Sequence, residues 1–211
     1  MTAFEEVTQL ELPSRRLNLE DAKVLERRIH GETPETILEI CQDFGQPSLL
    51  LAAILQDQGR GSLTTFGGEA NGSHKTVDAA ITQLGLRERI SVLPAGRSVP
   101  WALQRLIAAD DRPKFDVCVI DGNKTWDAVG FNILLADMLL REGGLLVMVS
   151  TGWTMAGSPY FRERPHLTEK FDKDQLETAP VQRAVDLLLP HLHYELLATP
   201  ETRTMAFARK T

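Results

Sequence analysis

Glu39 stands inside a short apolar run, Ile37-Leu-Glu-Ile40, and an acid in such a segment is rarely buried without a partner. The run reads as a buried strand. A polar turn follows from Cys41 to Gln46, with one glycine at Gly45, and Pro47-Ser48 then opens an apolar helix to Leu55. Proline suits a first helical turn because the N–H it lacks needs no partner there. A strand, a tight turn and a helix N-terminus make a ligand mouth in an α/β fold, with the N–H groups of the helix start facing the ligand. On its own, Glu39 reads as one half of a buried ion pair. A second acid, Asp121, closes the most apolar strand of the chain, and Lys124 follows three residues later. Their plain reading is an N-cap carboxylate and a solvated amine flanking the next helix. The five histidines form no metal-ligand cluster by spacing, although His191-Leu-His193 would place two rings on one face of a strand. Arg162, Arg164 and His166 suit an anionic substrate or a solvated loop.

The elements that must position these residues follow a regular rhythm. Residues 1–13 read as a short polar arm. Asn18 caps a helix to Ile29, with Leu19, Ala22, Leu25 and Ile29 at helical spacing and Gly31 and Pro34 beyond it. After the first strand and helix come strands at Ser62–Phe66, Arg89–Leu93, Phe115–Ile120 and Leu145–Val149. Helices at His74–Leu84, Val99–Ala109 and Trp126–Leu140 alternate with them. Residues 152–178 break the rhythm with a polar stretch holding Trp153, Tyr160 and Phe161, which is a flap over the sheet or a solvated loop. Trp126 and Trp153 read as core or flap residues rather than ligand contacts. Pro180–Leu189 is helical, and Tyr194–Ala198 with Thr204–Ala208 reads as an antiparallel hairpin. The expected fold is a doubly wound, mostly parallel, Rossmann-like α/β sheet closed by that hairpin. An arm and helix over 1–34 precede one domain over 35–211.

Composition excludes several classes. The net charge of −6 argues against a general nucleic-acid binder, which would show a basic face. No apolar run reaches the ~18 residues of a membrane span. The acidic start, Met-Thr-Ala-Phe-Glu-Glu, is unlike an export signal. Cys41 and Cys118 fit a reduced, cytoplasmic setting rather than a disulfide framework.

From about Glu35 to Lys210 the chain resembles class I S-adenosylmethionine-dependent methyltransferases, above all the small-molecule O-methyltransferases of catechol and caffeoyl-CoA type. The segments that carry this are Leu38-Glu-Ile-Cys-Gln-Asp-Phe-Gly45, Gly85-Leu-Arg-Glu-Arg-Ile-Ser-Val92, Phe115-Asp-Val-Cys-Val-Ile-Asp-Gly-Asn-Lys124 and Leu139-Leu-Arg-Glu-Gly-Gly-Leu-Leu-Val147. The resemblance implies a seven-stranded methyltransferase fold, S-adenosylmethionine as cofactor with S-adenosylhomocysteine as product, and a small-molecule acceptor. It implies no nucleic-acid or membrane partner, and a homodimer as candidate assembly. The implied cofactor contacts are Glu39, Cys41, Gln42, Asp43, Gly45, Phe66, Gly67, Glu69, Gly96, Arg97, Asp121 and Gly122. Lys124 falls at the family's candidate base position, where burial or a cationic neighbour would lower its pKa, and Asp121 would orient it.

The departures are as informative. Cys41 and Asp43 replace loop glycines, so side chains narrow the space for the cofactor's methionine end. The ribose-binding acid falls on Gly67 or Gly68, which leaves Glu69 as the nearest carboxylate. The Asp-Asn pair of the family's metal site is Ser150-Thr151, and one carboxylate with two hydroxyls is a poor site for a hard cation, so no metal is expected. Two functions compete: a metal-free O-methyltransferase, and a binding or regulatory protein on the same fold with weakened cofactor affinity. A nucleotide-dependent oxidoreductase is a third, disfavoured because residues 41–46 lack the Gly-x-Gly-x-x-Gly turn.

Overall fold

The computed structural model describes residues 1–10, 17–41, 44–67, 73–96 and 98–211, apart from the side chains of 73–76. Its centre is a seven-stranded sheet: β1 (Thr36–Cys41), β2 (Ser62–Gly67), β3 (Ile90–Pro94), β4 (Phe115–Asp121), β5 (Leu140–Val149), β6 (Tyr194–Leu197) and β7 (Met205–Lys210), in the spatial order β3-β2-β1-β4-β5-β7-β6. The first five pair in parallel, and β7 runs antiparallel to both β5 and β6. The expected terminal hairpin therefore enters the sheet by its second strand. Residues 117–120 of β4 are buried throughout, as a parallel strand covered on both faces requires.

Two helical layers cover the sheet. On one face lie α1 (Ala3–Gln9), α2 (Leu19–Glu32), α3 (Gln46–Asp57) and α4 (Ser73–Gln83), packed on Ile37, Leu63, Val117 and Val147. On the other lie α5 (Val99–Ile107), α6 (Trp126–Leu139) and, after the short α7 (Pro159–Arg162) and α8 (Lys173–Glu177), α9 (Pro180–Leu187). This second layer packs on Leu38, Ile40, Cys118, Ile120 and Leu146. The alternation along β1 sends Ile37, Glu39 and Cys41 toward α3 and Leu38 and Ile40 toward α6, as the two-residue period of a strand dictates.

The structure corrects several expectations. The short polar arm contains a two-turn helix, α1, that buries Phe4 and Val7. Its signal was legible: Thr2 and Glu5 form a reciprocal capping box. Asp57 accepts the N–H groups of Ala3 and Phe4 at 2.8 and 2.9 Å and so holds α1 on the end of α3. Asn18 does cap α2, but the helix runs on through Gly31 to Glu32 and stops at Thr33, whose φ of 44° is left-handed. His191 and His193 lie on a tight 3₁₀ turn and its left-handed cap, not on one strand face. No described helix is long and apolar enough to cross a membrane.

Candidate active site

The chain reverses direction across the sheet between β1 and β4, since β2 and β3 stack on one side of β1 and β4 and β5 on the other. In open α/β sheets the crevice outside the carboxyl ends at that point is where ligands bind. Cys41 and Asp121 are register partners across it. Gly67 closes β2 next to Pro94 of β3, and its carbonyl accepts the Ala95 N–H at 3.1 Å. Gly96 follows with φ 56°, a backbone state that glycine adopts without strain, and open space around the position of a Cβ. Gly45, which has no side chain to cap with, precedes α3, and its own N–H donates to the Ser48 hydroxyl at 3.4 Å. The sequence thus brings Glu39, Cys41, Gly45, Phe66, Gly67, Gly96, Asp121, Gly122 and Lys124 to one edge. Gln42, Asp43, Gly68, Glu69 and Arg97 lie outside the described residues.

Glu39 is fully buried between β1, β2 and α3. The Thr65 hydroxyl donates to Oε2 at 2.5 Å, and Oε1 has no hydrogen-bond partner among the described residues. Burial pushes its carboxyl up to about 7, the nearby Ser48 and Thr65 hydroxyls offset part of that rise, and the charge of Asp121 adds to it. Burial thus disfavours the charged form of this acid, and among the described residues no cation pairs with it. The Cys41 thiol points toward the neighbouring strand, 3.3 Å from Thr65 Oγ1 and 3.5 Å from the Phe66 carbonyl. Burial raises its pKa far above the ordinary thiol range, so it is a packing group and not a nucleophile.

Lys124 Nζ lies 3.3 Å from Asp121 Oδ1 and donates to the Gly122 carbonyl at 3.2 Å. Both side chains are largely buried, at 13% and 7% exposure. Asp121 is thus a partner of Lys124, and Asn123 Oδ1 accepts the N–H of Thr125, the residue before α6. The solvated-amine alternative for Lys124 does not hold. Asn132 was missed in the sequence: it is buried on α6 with Oδ1 unpartnered, and its Nδ2 would lie 3.4 Å from a Cβ at Gly122. Its only signal is one amide within the apolar run Ala128–Ala136 of the helix.

Ser150 and Thr151 follow β5, and Ser150 has a left-handed φ of 66°, uncommon for a residue with a side chain. Thr151 is fixed to the hairpin loop, its hydroxyl on the Arg203 carbonyl and its N–H on that of Thr204. Among the described residues no group of three or more His, Cys, Asp or Glu could hold a metal. Beside Ser150 a cavity of about 310 Å³ is lined by Asn18, Asp21, Gly152 and Trp153. A larger one of about 690 Å³ opens between the start of α6 at Thr125, α8 and α9, over Trp126, Met155 and Phe171. Trp126 is 44% exposed and lines this cavity rather than the core. In the insertion, Arg164 stacks over the Tyr160 ring at 4.4 Å and bonds the Tyr160 carbonyl, which uses much of its donor capacity internally.

No protein-family model matches the chain, and no curated protein is detectably similar in sequence. Solved structures match it in fold. An O-methyltransferase from Bacillus cereus in complex with S-adenosylhomocysteine superposes with a TM-score of 0.67 at 18% identity, covering 99% of this chain and 90% of that one. The chain has the fold of a class I methyltransferase. The O-methyltransferase TomG from Streptomyces achromogenes, involved in tomaymycin synthesis and bound to S-adenosylmethionine, matches with a TM-score of 0.64 at 18% identity over 99% and 89% of the chains. A Podospora anserina methyltransferase bound to S-adenosylhomocysteine matches at 0.65 and 16% over 99% and 86%. The methyltransferase fold thus accounts for the whole length described, hairpin included.

Proposed function

We propose that the chain transfers the methyl group of S-adenosylmethionine to a hydroxyl of a small-molecule acceptor. The observation that carries this reading is the largely buried Asp121–Lys124 pair at the switch point of a methyltransferase fold. The cofactor, when bound, supplies an electrophilic methyl group on a sulfonium. The described residues fit it: open backbone at Gly96, a glycine with no capping side chain at the start of α3, and the Oε1 of Glu39, which has no hydrogen-bond partner among the described residues. Glu39, Gly45, Gly67, Gly96 and Gly122 would hold it, with Glu69 taking the ribose hydroxyls in place of the missing strand-end acid.

Lys124 acts on the acceptor. An ammonium held in place by Asp121 donates to the acceptor oxygen and aligns it for in-line attack. Passing a proton out through the pair would make the same amine the base. The larger cavity begins at Thr125, the residue after Lys124, and its aromatic floor and 690 Å³ suit a small organic acceptor. The acidic net charge supports a partner other than nucleic acid. A homodimer is the assembly we expect.

Ser150 and Thr151 offer hydroxyls where a divalent cation wants carboxylates or carbonyls. Methyl transfer from labelled S-adenosylmethionine to a panel of phenols and catechols should therefore run equally with and without EDTA. Activity lost to chelation and restored by magnesium would show that the acceptor is held by a metal. No transfer to any acceptor, with cofactor bound, would favour the binding-protein reading.

A further inference from the structure

Three segments distant in the chain meet past the end of β5: the start of α2, residues 149–153, and the loop between β6 and β7. Between them lies the cavity of about 310 Å³, to which methyl transfer gives no part. Among the described residues that line it, Asp21 is the one charged group, and it is only 7% exposed. An aspartate is rarely so buried without a cation. Its carboxylate takes only neutral donors: the Thr202 hydroxyl on Oδ1 at 2.7 Å, and on Oδ2 the Thr204 hydroxyl and the Asn18 amide, both at 2.6 Å. No cation pairs with it among the described residues. These bonds latch α2 to the hairpin loop and also fix the carboxylate at the cavity wall. A carboxylate has about four acceptor sites, so Oδ1 keeps one to offer.

We propose that this cavity binds a small primary amine, held as an ammonium by Asp21 and distinct from the cofactor. The rest of the wall suits that charge. An ammonium has three donors and no acceptor, and the hydroxyl oxygens of Ser150 and Thr204 line the same space. The Trp153 indole lines it too, and tryptophan is the aromatic ring that cations favour most. Ser150 is as buried as Asp21, at 8% exposure, so a charge seated here is partly shielded from water and pairs with the carboxylate more strongly than at the open surface. An anion would meet the Asp21 charge with no cation of the described wall to offset it. The volume lies at the lower end of the range for ligand pockets, so the ligand is small. None of the described cofactor contacts at the ends of β1 and β4 lines this cavity. The inference does not depend on methyl transfer.

Phenethylamine serves as the probe, with 2-phenylethanol as its neutral counterpart. In heteronuclear NMR spectra of the full chain the amine should shift the Trp153 indole resonance, assigned with Trp153→Phe. The alcohol should bind about tenfold or more weakly, the scale of one charge-assisted bond. Asp21→Asn should weaken the amine by a similar factor. That change also touches the latch, so two further variants separate binding from folding. Thr202→Val removes one bond of the latch and keeps the carboxylate, and it should bind the amine as the parent does. Gly152→Leu should abolish binding with the circular dichroism unchanged, since a Cβ there meets no atom within 4 Å. The shift should persist with S-adenosylhomocysteine in excess. No shift with the amine, an alcohol that binds as tightly, or an Asp21→Asn variant equal to the parent would overturn the proposal. Binding lost in Thr202→Val would reduce Asp21 to the latch alone. Displacement of the amine by S-adenosylhomocysteine would overturn the separate ligand and assign the ammonium to the cofactor's amino-acid end.

Discussion

Lys124→Ala should lower kcat for methyl transfer by roughly 10²–10⁴-fold, the usual range for a positioned acid–base or orienting group, with S-adenosylhomocysteine affinity nearly unchanged. The expectation rests on placement. Lys124 is largely buried, held by Asp121 and the Gly122 carbonyl, and precedes Thr125, which lines the 690 Å³ cavity. Lys124→Arg divides its two roles. A guanidinium keeps the charge and the donors but does not give up a proton. Partial activity in the arginine variant would assign Lys124 to orienting the acceptor oxygen, and activity as low as in the alanine variant would assign it to proton removal. Wild-type turnover in Lys124→Ala would remove the residue from the chemistry.

Glu39→Gln should change the pH dependence of stability more than any other single substitution at the site. Burial raises the Glu39 carboxyl to about 7 in the folded chain, against 4.5 in the unfolded one. A folded-state pKa above the unfolded value means the native state holds the proton longer. Its contribution is fully present below about pH 4.5 and is lost as pH rises through 7. The loss amounts to about 3 kcal/mol at 1.36 kcal/mol per unit. Glutamine keeps an oxygen for the Thr65 hydroxyl and has no proton to lose. The two proteins should be similar in urea unfolding at pH 5, and the variant should be the more stable by about 3 kcal/mol at pH 8. Parallel stability curves across that range would show that Glu39 is solvated or paired when ionised.

The strands and helices of the sheet were legible because each carries its own period. Ile37, Glu39 and Cys41 alternate with Leu38 and Ile40, and the run 117–120 is apolar throughout. Glu39 was legible as an anomaly, an acid amid isoleucines, and the structure shows burial with a hydroxyl partner in place of an ion pair. What sequence could not show depends on contacts between distant segments. Asp57 holding α1, the carboxylate of Asp21 accepting the Thr202 and Thr204 hydroxyls, and the bidentate Glu32–Arg209 pair all join residues more than 50 apart. Asn132 was hidden for the opposite reason, since one amide does not alter the pattern of the apolar run Ala128–Ala136. Asp121 looked like a helix cap by position, and only its distance to Lys124 assigns it to the amine.

If the carboxyl edge of the sheet at β1 and β4 holds S-adenosylmethionine, calorimetric titration with S-adenosylhomocysteine should give saturable heat with one site per chain. The bound product should be displaced by S-adenosylmethionine, and binding should be retained in Lys124→Ala. No heat and no thermal shift at millimolar ligand would contradict cofactor binding at this edge.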